Sequence, residues 1–164
     1  NHQSLHDITT MIWFLRKTHP KFISKIELGK GIPSVSYNLR HGGSALIDRK
    51  DPKQALPAIK KVAELINKNN YDIVIFPEGT RSKTGEPKPF ATSGMKMLYK
   101  FAPNAYFLPI TINNSWKTTK FGQFPLGLGV QLKLQIHKPL KVSDNSFEEI
   151  AEKTEKIITQ HIKI

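Results

Sequence analysis

The chain contains no cysteine. Disulfides, thiolate metal sites and a cysteine nucleophile are therefore excluded, and nothing about the redox compartment follows from thiols. Long apolar runs are missing too. No stretch reaches the roughly 20 apolar residues that a membrane-spanning helix needs, and no signal peptide is visible. A Gly-x-Ser-x-Gly elbow is absent, which argues against an ordinary α/β-hydrolase. There is no Gly-x-x-x-x-Gly-Lys-Ser/Thr, so the chain is not a P-loop enzyme. "GLGVQL" lacks the third glycine of a dinucleotide fingerprint. Acidic side chains are scarce: 13 Asp and Glu face 25 Lys and Arg, a net charge of +12. That excess implies an anionic partner, whether nucleic acid, a membrane surface or a phosphorylated substrate. What remains is globular in composition: 164 residues, 38% apolar and 23% charged, enough for one domain with a core. The chain begins at Asn1, inside what reads as a functional motif, so an upstream membrane-anchoring segment is expected.

The pattern predicts alternating strands and helices. "DITTMIWFLRKTHP" reads as a helix starting at or just after Asp7. Its continuous apolar run, Met11 to Leu15, is expected to be buried on most sides or to meet lipid. "KFISKIEL" is a short strand and "GKGIPS" a loop. "GSALIDR" is a strand leading into a charged loop. Asp51 and Pro52 suit the N-cap and first position of a helix striped by Leu56, Ile59, Val62, Ala63 and Ile66, with Pro57 as a rival start. Ile73 to Phe76 is a buried strand, "SGMKMLYKF" a helix and "AYFLPITI" a strand. "GVQLKLQIHKPL" alternates as a half-exposed edge strand. The final helix has Ser146 and Glu149 at capping-box spacing. Together these predict an α/β layered domain, with a central, mostly parallel or mixed sheet flanked by helices.

Three stretches carry chemistry. In "NHQSLHD", His2 and His6 are spaced to share a helix face, a possible metal pair. Asp7 could not join them on a regular helix, because its offset of five residues from His2 is about 140° around the axis. No further ligand set is clustered, so no metal is expected. With His2 on a turn before the helix, Asp7 could instead reach the imidazole, fix its tautomer and leave the other nitrogen as a base. A polar helix entrance, with Asp7 complementing the helix dipole, is the plainer account of these seven residues alone. In "FPEGTRS", polar residues follow a buried strand, at the end where open α/β sheets bind ligands. Gly79 permits close approach, Thr80 and Ser82 supply hydroxyls, and Arg81 offers a fork suited to phosphate. Glu78 can orient that arginine or accept a hydroxyl proton. In "GGSALIDRKD", Arg49 follows another apolar strand, and the two arginines could form an anion clamp.

In this order, "NHQSLHD", "SALIDR", "FPEGTRS" and "FLPITI" resemble the four blocks of the glycerolipid acyltransferase family. Its best-known members are the 1-acylglycerol-3-phosphate (lysophosphatidic acid) acyltransferases. Asn1, His2, Ser4 and Asp7 match the first block, and Phe76 to Ser82 matches the third in full. The resemblance runs to about Trp116. It implies a glycerol-3-phosphate acyltransferase-like fold over residues 1–164. It implies His2 as general base, Asp7 as its orienting partner, and Glu78, Gly79, Thr80 and Arg81 holding the acceptor's phosphate end with Arg49. It also implies Lys25 near that phosphate and Pro109 lining the acyl site. After the "IP" pair the family has an aromatic and glycine turn, whereas this chain reads "PSVSYNLRHGG". His6 is not a family position.

The implied reaction moves a fatty acyl group from acyl-CoA or acyl carrier protein to the hydroxyl of 1-acylglycerol 3-phosphate, giving phosphatidic acid. No cofactor beyond the donor and no metal is implied. The expected location is the cytoplasmic face of a membrane. "NNSWKTTKFGQFPLGLG" interleaves aromatics with lysines, which suits an anionic membrane interface and equally a surface loop with anchoring aromatics. Two other readings stand beside this one: an acyltransferase for another lyso-phospholipid or amine-bearing acceptor, and a basic anion- or nucleic-acid-binding module without catalysis. No nucleic-acid motif is present, so nucleic acid is not an expected partner.

Overall fold

A computed structural model describes residues 1–30, 33–48, 51–122 and 124–164. In chain order its elements are α1 (His6–Phe14), β1 (Lys21–Lys25), α2 (Pro33–His41), β2 (Ala45–Ile47), α3 (Pro52–Asn69), β3 (Ile73–Val74), α4 (Ser93–Phe101), β4 (Tyr106–Phe107), β5 (Ile110–Asn113), β6 (Lys133–Ile136), β7 (Leu140–Lys141) and α5 (Phe147–His161). Short 3-10 turns lie at Arg16–Thr18, Ile26–Gly29, Ser115–Thr119 and Val142–Asp144. The chain divides into two compact units. One comprises Met11–Ile75 and Ser93–Ala105, the other Asn1–Thr10, Phe76–Thr92 and Tyr106–Ile164. Among the described residues no helix is long and apolar enough to cross a membrane.

The first of these units is a parallel sheet with helices, in strand order β2-β1-β3. Ile23 pairs with Ala45 and Lys21 with Ile73. Phe22, Ile23 and Ser24 are all buried, as a parallel strand covered on both faces requires. α3 packs on β2 and α4, bringing Ile59, Val62, Ala63, Met95 and Leu98 into the core. The helix starts where its cap predicts. Asp51 Oδ1 accepts the N–H groups of Lys53 (3.0 Å) and Gln54 (3.3 Å), with Pro52 at the first position. Pro57 lies inside the helix, not at its start. The capped first turn is already fixed before Pro57 removes one N–H.

Two other expectations change. Gly31 and Ile32 of "GKGIPS" lie outside the described residues, but a helix, α2, begins at Pro33 where a loop was expected. Its buried face includes Ser36 and Leu39, and Ser36 Oγ donates to the Leu28 carbonyl at 3.2 Å. A serine in the core is invisible to hydrophobic periodicity. The apolar run of α1 is also not buried on most sides, the first of its two expected settings. Met11 is buried, but Ile12 and Trp13 are exposed, and the Arg16 guanidinium lies 4.9 Å from the Trp13 ring centre.

The other unit carries two antiparallel pairs, β5 with β6 and β4 with β7. "AYFLPITI" is thus two strands, interrupted at Leu108-Pro109, where Pro109 has no N–H to give a ladder. β6 pairs only with β5 among the described residues, the edge position expected of it, but Ile136, on the apolar face of the alternation, is exposed. α5 packs on β5 with Ile150 and Ile158 buried. Its capping box is complete: the Ser146 hydroxyl accepts the Glu149 N–H, and Glu149 accepts the Ser146 N–H at 2.9 Å. The expected α/β class is therefore observed. Its parallel part is the three-stranded sheet, and the antiparallel strands form separate ribbons.

Candidate active site

Residues 1–5 form a turn that leads into α1, where Asp7 is the second residue, and the turn is pinned at each step. Asn1 acts like one more residue of a ladder. Its amide donates to the Ile112 carbonyl at 2.8 Å and its Oδ1 accepts the Ile112 N–H at 2.7 Å. The His2 carbonyl accepts the Ser82 N–H at 2.8 Å, and the His2 N–H donates to Glu78 Oε1 at 3.1 Å. The turn brings Asp7 back beneath His2. Asp7 Oδ2 lies 2.8 Å from His2 Nδ1 and also accepts the N–H groups of Gln3 (2.6 Å) and Ser4 (2.9 Å).

Asp7 is fully buried. Burial works to raise its pKa, but the hydrogen bond to the His2 ring, the nearby Ser115 hydroxyl and the N–H groups of Ser4 and Gln3 outweigh it. The carboxyl is held below the ordinary aspartate range. An ionised carboxylate only accepts. Nδ1 must then carry the ring proton, and Nε2 is left as the basic nitrogen. Among the described residues nothing hydrogen-bonds Nε2. The ring stacks on Phe76 with centres 4.2 Å apart, so its plane is fixed as well as its tautomer. In geometry the pair matches the base half of a nucleophilic triad.

"FPEGTRS" surrounds this turn. Gly79 sits at φ 72°, a conformation that favours glycine, and its N–H closes a turn onto the Phe76 carbonyl at 3.0 Å. Glu78 is buried. The expected pairing with Arg81 is not formed; the Glu78 carboxylate instead accepts backbone donors, Oε1 from His2 and Oε2 from Lys88 at 3.2 Å. Burial pushes its pKa up, against the pull of those N–H groups. Arg81 is exposed. Beside it an open cavity of about 320 Å³ is lined by Arg81, Lys83, Thr84, Glu86 and Lys88 among others. Lys88 Nζ donates to Thr80 Oγ1 and to the Arg81 carbonyl, each at 3.0 Å. A second cation is thereby fixed at the same loop.

Pro109 is fully buried, and its carbonyl accepts the His137 N–H at 3.0 Å. Lys25 ends β1 in the parallel-sheet unit. Arg49 lies outside the described residues, so the two-arginine clamp does too. His6 Nδ1 is 3.0 Å from Thr118 Oγ1 and takes no part in the His2–Asp7 pair. Among the described residues no group of three His, Asp or Glu side chains could hold a metal ion. Sequence reasoning gave no role to Gln3 or Lys88. Gln3 is buried and polar, which patterning does not reveal, and Lys88 sits in a proline-rich loop where a lysine reads as solvated.

Residues 1–113 match the model of the Acyltransferase family. A 1-acyl-sn-glycerol-3-phosphate acyltransferase of Helicobacter pylori is 34% identical over 98% of this chain and 67% of its own length. A chloroplastic 1-acyl-sn-glycerol-3-phosphate acyltransferase of Brassica napus is 31% identical over 85% of this chain and 39% of its own length. The crystal structure of the 1-acyl-sn-glycerophosphate (LPA) acyltransferase PlsC from Thermotoga maritima superposes with a TM-score of 0.71 at 28% identity. It is matched over 98% of this chain and 61% of that one. The chain thus spans between about two fifths and two thirds of the lengths of these relatives.

Proposed function

The chain belongs to the Acyltransferase family, and from that premise we propose that it acylates the free hydroxyl of 1-acylglycerol 3-phosphate, giving phosphatidic acid. The donor is an acyl thioester, acyl-CoA or acyl carrier protein, and both are anionic. The observation that carries the reading is the 2.8 Å contact of His2 Nδ1 with the buried Asp7 carboxylate, on a turn braced by the "FPEGTRS" loop.

His2 Nε2 takes the proton of the acceptor hydroxyl as the oxygen attacks the thioester carbonyl. The C–O bond forms and a tetrahedral oxyanion results. Its collapse breaks the C–S bond, and the imidazolium returns the proton to the departing sulfur. Asp7 stabilises the imidazolium between the two transfers and is not itself protonated. A thiolate leaves readily, so the step needs no metal. Arg81, with Gly79, Thr80 and the fixed ammonium of Lys88, meets the acceptor phosphate. Family resemblance also assigns Lys25 and Arg49 to phosphate binding and Pro109 to the acyl site. Glu78 acts at one remove, by holding the His2 and Lys88 backbones.

Thiol release from acyl-CoA, measured across acceptors, tests the reading. His2→Ala is expected to lower kcat by about a hundred- to ten-thousand-fold, the range of a general base, with little change in stability. Arg81→Lys keeps the charge but loses the bidentate fork, so KM for a phosphate-bearing acceptor should rise while KM for the donor stays. Turnover by His2→Ala at the wild-type rate would sink the mechanism. A loss confined to the donor would move Arg81 to the donor's phosphates.

A further inference from the structure

A loop beyond the chemistry leaves the catalytic turn with its apolar side chains bare. Its base is tied to that turn. The Ser115 hydroxyl bonds the Ser4 hydroxyl, Thr118 Oγ1 meets the His6 ring at 3.0 Å, and the Trp116 N–H makes a long 3.5 Å contact to Gln3 Oε1. Trp116 is half-buried over Gly85, so it serves as the loop's anchor. The Gly127 N–H donates to the Thr118 carbonyl at 2.9 Å and closes the neck. Past the neck, Phe121 is 66% exposed, Phe124 89%, Leu126 44% and Leu128 95%. Lys117 and Lys120 stand over the rings of Trp116 and Phe121, at 5.6 and 5.9 Å from their centres.

Two large aromatics and two leucines presented together from one loop mark an interaction surface. The charge around them selects the occupant. No aspartate or glutamate occurs from Pro87 to Ser143, a stretch that includes Lys117, Lys120, Lys133, Lys138 and Lys141. Apolar tips beside the ammonium groups of Lys117 and Lys120 match the layering of an anionic bilayer: headgroup charge outside, hydrocarbon beneath. An acidic protein would satisfy the lysines but not four bare apolar side chains. We propose that the loop carrying Phe121, Phe124, Leu126 and Leu128 docks the protein on an anionic lipid surface. Because its base is bonded to Gln3, Ser4 and His6, docking fixes where the His2 turn meets lipid. The inference rests on the acyl-transfer reading only for its purpose, since vesicle binding can be measured without turnover.

Sedimentation with phosphatidylcholine vesicles, with and without phosphatidylglycerol, tests it. The chain should bind the mixed vesicles and scarcely bind phosphatidylcholine alone. Phe124→Ser combined with Leu128→Ser should lower binding about tenfold or more, with an unchanged circular dichroism spectrum. Lys117→Gln and Lys120→Gln should each cost about fivefold at low salt, from roughly 1 kcal/mol per lysine near the surface. The cysteine-free chain accepts a single label. A polarity-sensitive dye on F124C should shift to shorter wavelength on mixed vesicles. Turnover of the double variant should persist on a water-soluble short-chain acceptor and fall on a vesicle-borne one. Wild-type affinity in the double variant, a bound chain whose F124C dye stays in water, or lost affinity for acyl carrier protein with vesicle binding intact would each overturn the assignment. If the wild type binds vesicles through the loop but releases no thiol with any acceptor, the docking assignment is supported and the acyl-transfer reading fails.

Discussion

The strength of the His2–Asp7 pair lies in what Asp7 does besides touching the imidazole. One oxygen, Oδ2, takes three donors, while Oδ1 is buried with no hydrogen-bond partner. In Asp7→Asn, the new carbonyl oxygen can accept the same three donors, but the amide nitrogen replaces Oδ1, an atom with no hydrogen-bond partner in the wild type. Stability at neutral pH should fall by about 1–3 kcal/mol, the cost of a buried unsatisfied donor. Activity should fall further, because the imidazolium loses its counter-charge. The pH dependence follows from the sign of the Asp7 shift. Its folded pKa is lowered, so the unfolded chain binds the proton more readily. The stabilisation is full above the ordinary aspartate pKa and is lost as pH falls through the lower, folded value. Urea unfolding from neutral pH into acid should show the wild type converging on Asp7→Asn over that acid window, and parallel curves would contradict it. The spacing of His2 and Asp7 was legible in seven residues of sequence. The jobs of Asn1, Gln3 and Glu78 were not, since each bonds backbone groups distant in the chain, and side-chain identity says nothing of those partners.

Among the elements, caps and alternation were readable because they are local. The Asp51 cap of α3 and the capping box of α5 form within one turn of backbone, so residue spacing dictates them. α2 was missed because its buried face includes Ser36, and β4 and β5 were merged because Leu108-Pro109 interrupts an otherwise apolar run. The loop between Arg81 and Lys88 depends on a contact no local pattern contains. Gly85 has φ 88°, and a Cβ there would lie 2.4 Å from Trp116 Nε1 and 2.7 Å from Cδ1. Gly85→Ala therefore adds a backbone penalty of about 1–3 kcal/mol to a collision with a ring that anchors the neighbouring loop. Gly122, at φ 105° with nothing within 4 Å, carries the backbone penalty alone. Thermal unfolding should rank Gly85→Ala below Gly122→Ala in stability. Equal midpoints would show that the Trp116 seat yields freely.

For the molecule as a whole, composition foretold the charge but not the layout. The backbone passes between the two units at Thr10–Met11, Ile75–Phe76, Thr92–Ser93 and Ala105–Tyr106. Each passage lies within or beside regular structure, so no linker composition marks it. The +12 charge acts at longer range than any of these contacts. It raises the encounter rate with anions, and salt screens that steering over a Debye length of about 10 Å at 0.1 M. For an anionic acceptor such as 1-acylglycerol 3-phosphate, kcat/KM should fall steadily with added salt while kcat changes little, because salt alters encounter and not the buried His2–Asp7 pair. A zwitterionic lyso-phospholipid of the same chain length carries no net charge, so its kcat/KM should fall less. Steady-state rates with each acceptor at several salt concentrations, at saturating donor, separate the two. Equal salt sensitivity would place the screened interaction with the donor or the membrane. A chain that retained duplex DNA with steep salt dependence and released no thiol would instead be a nucleic-acid binder, since phosphate neutralisation alone then accounts for its charge.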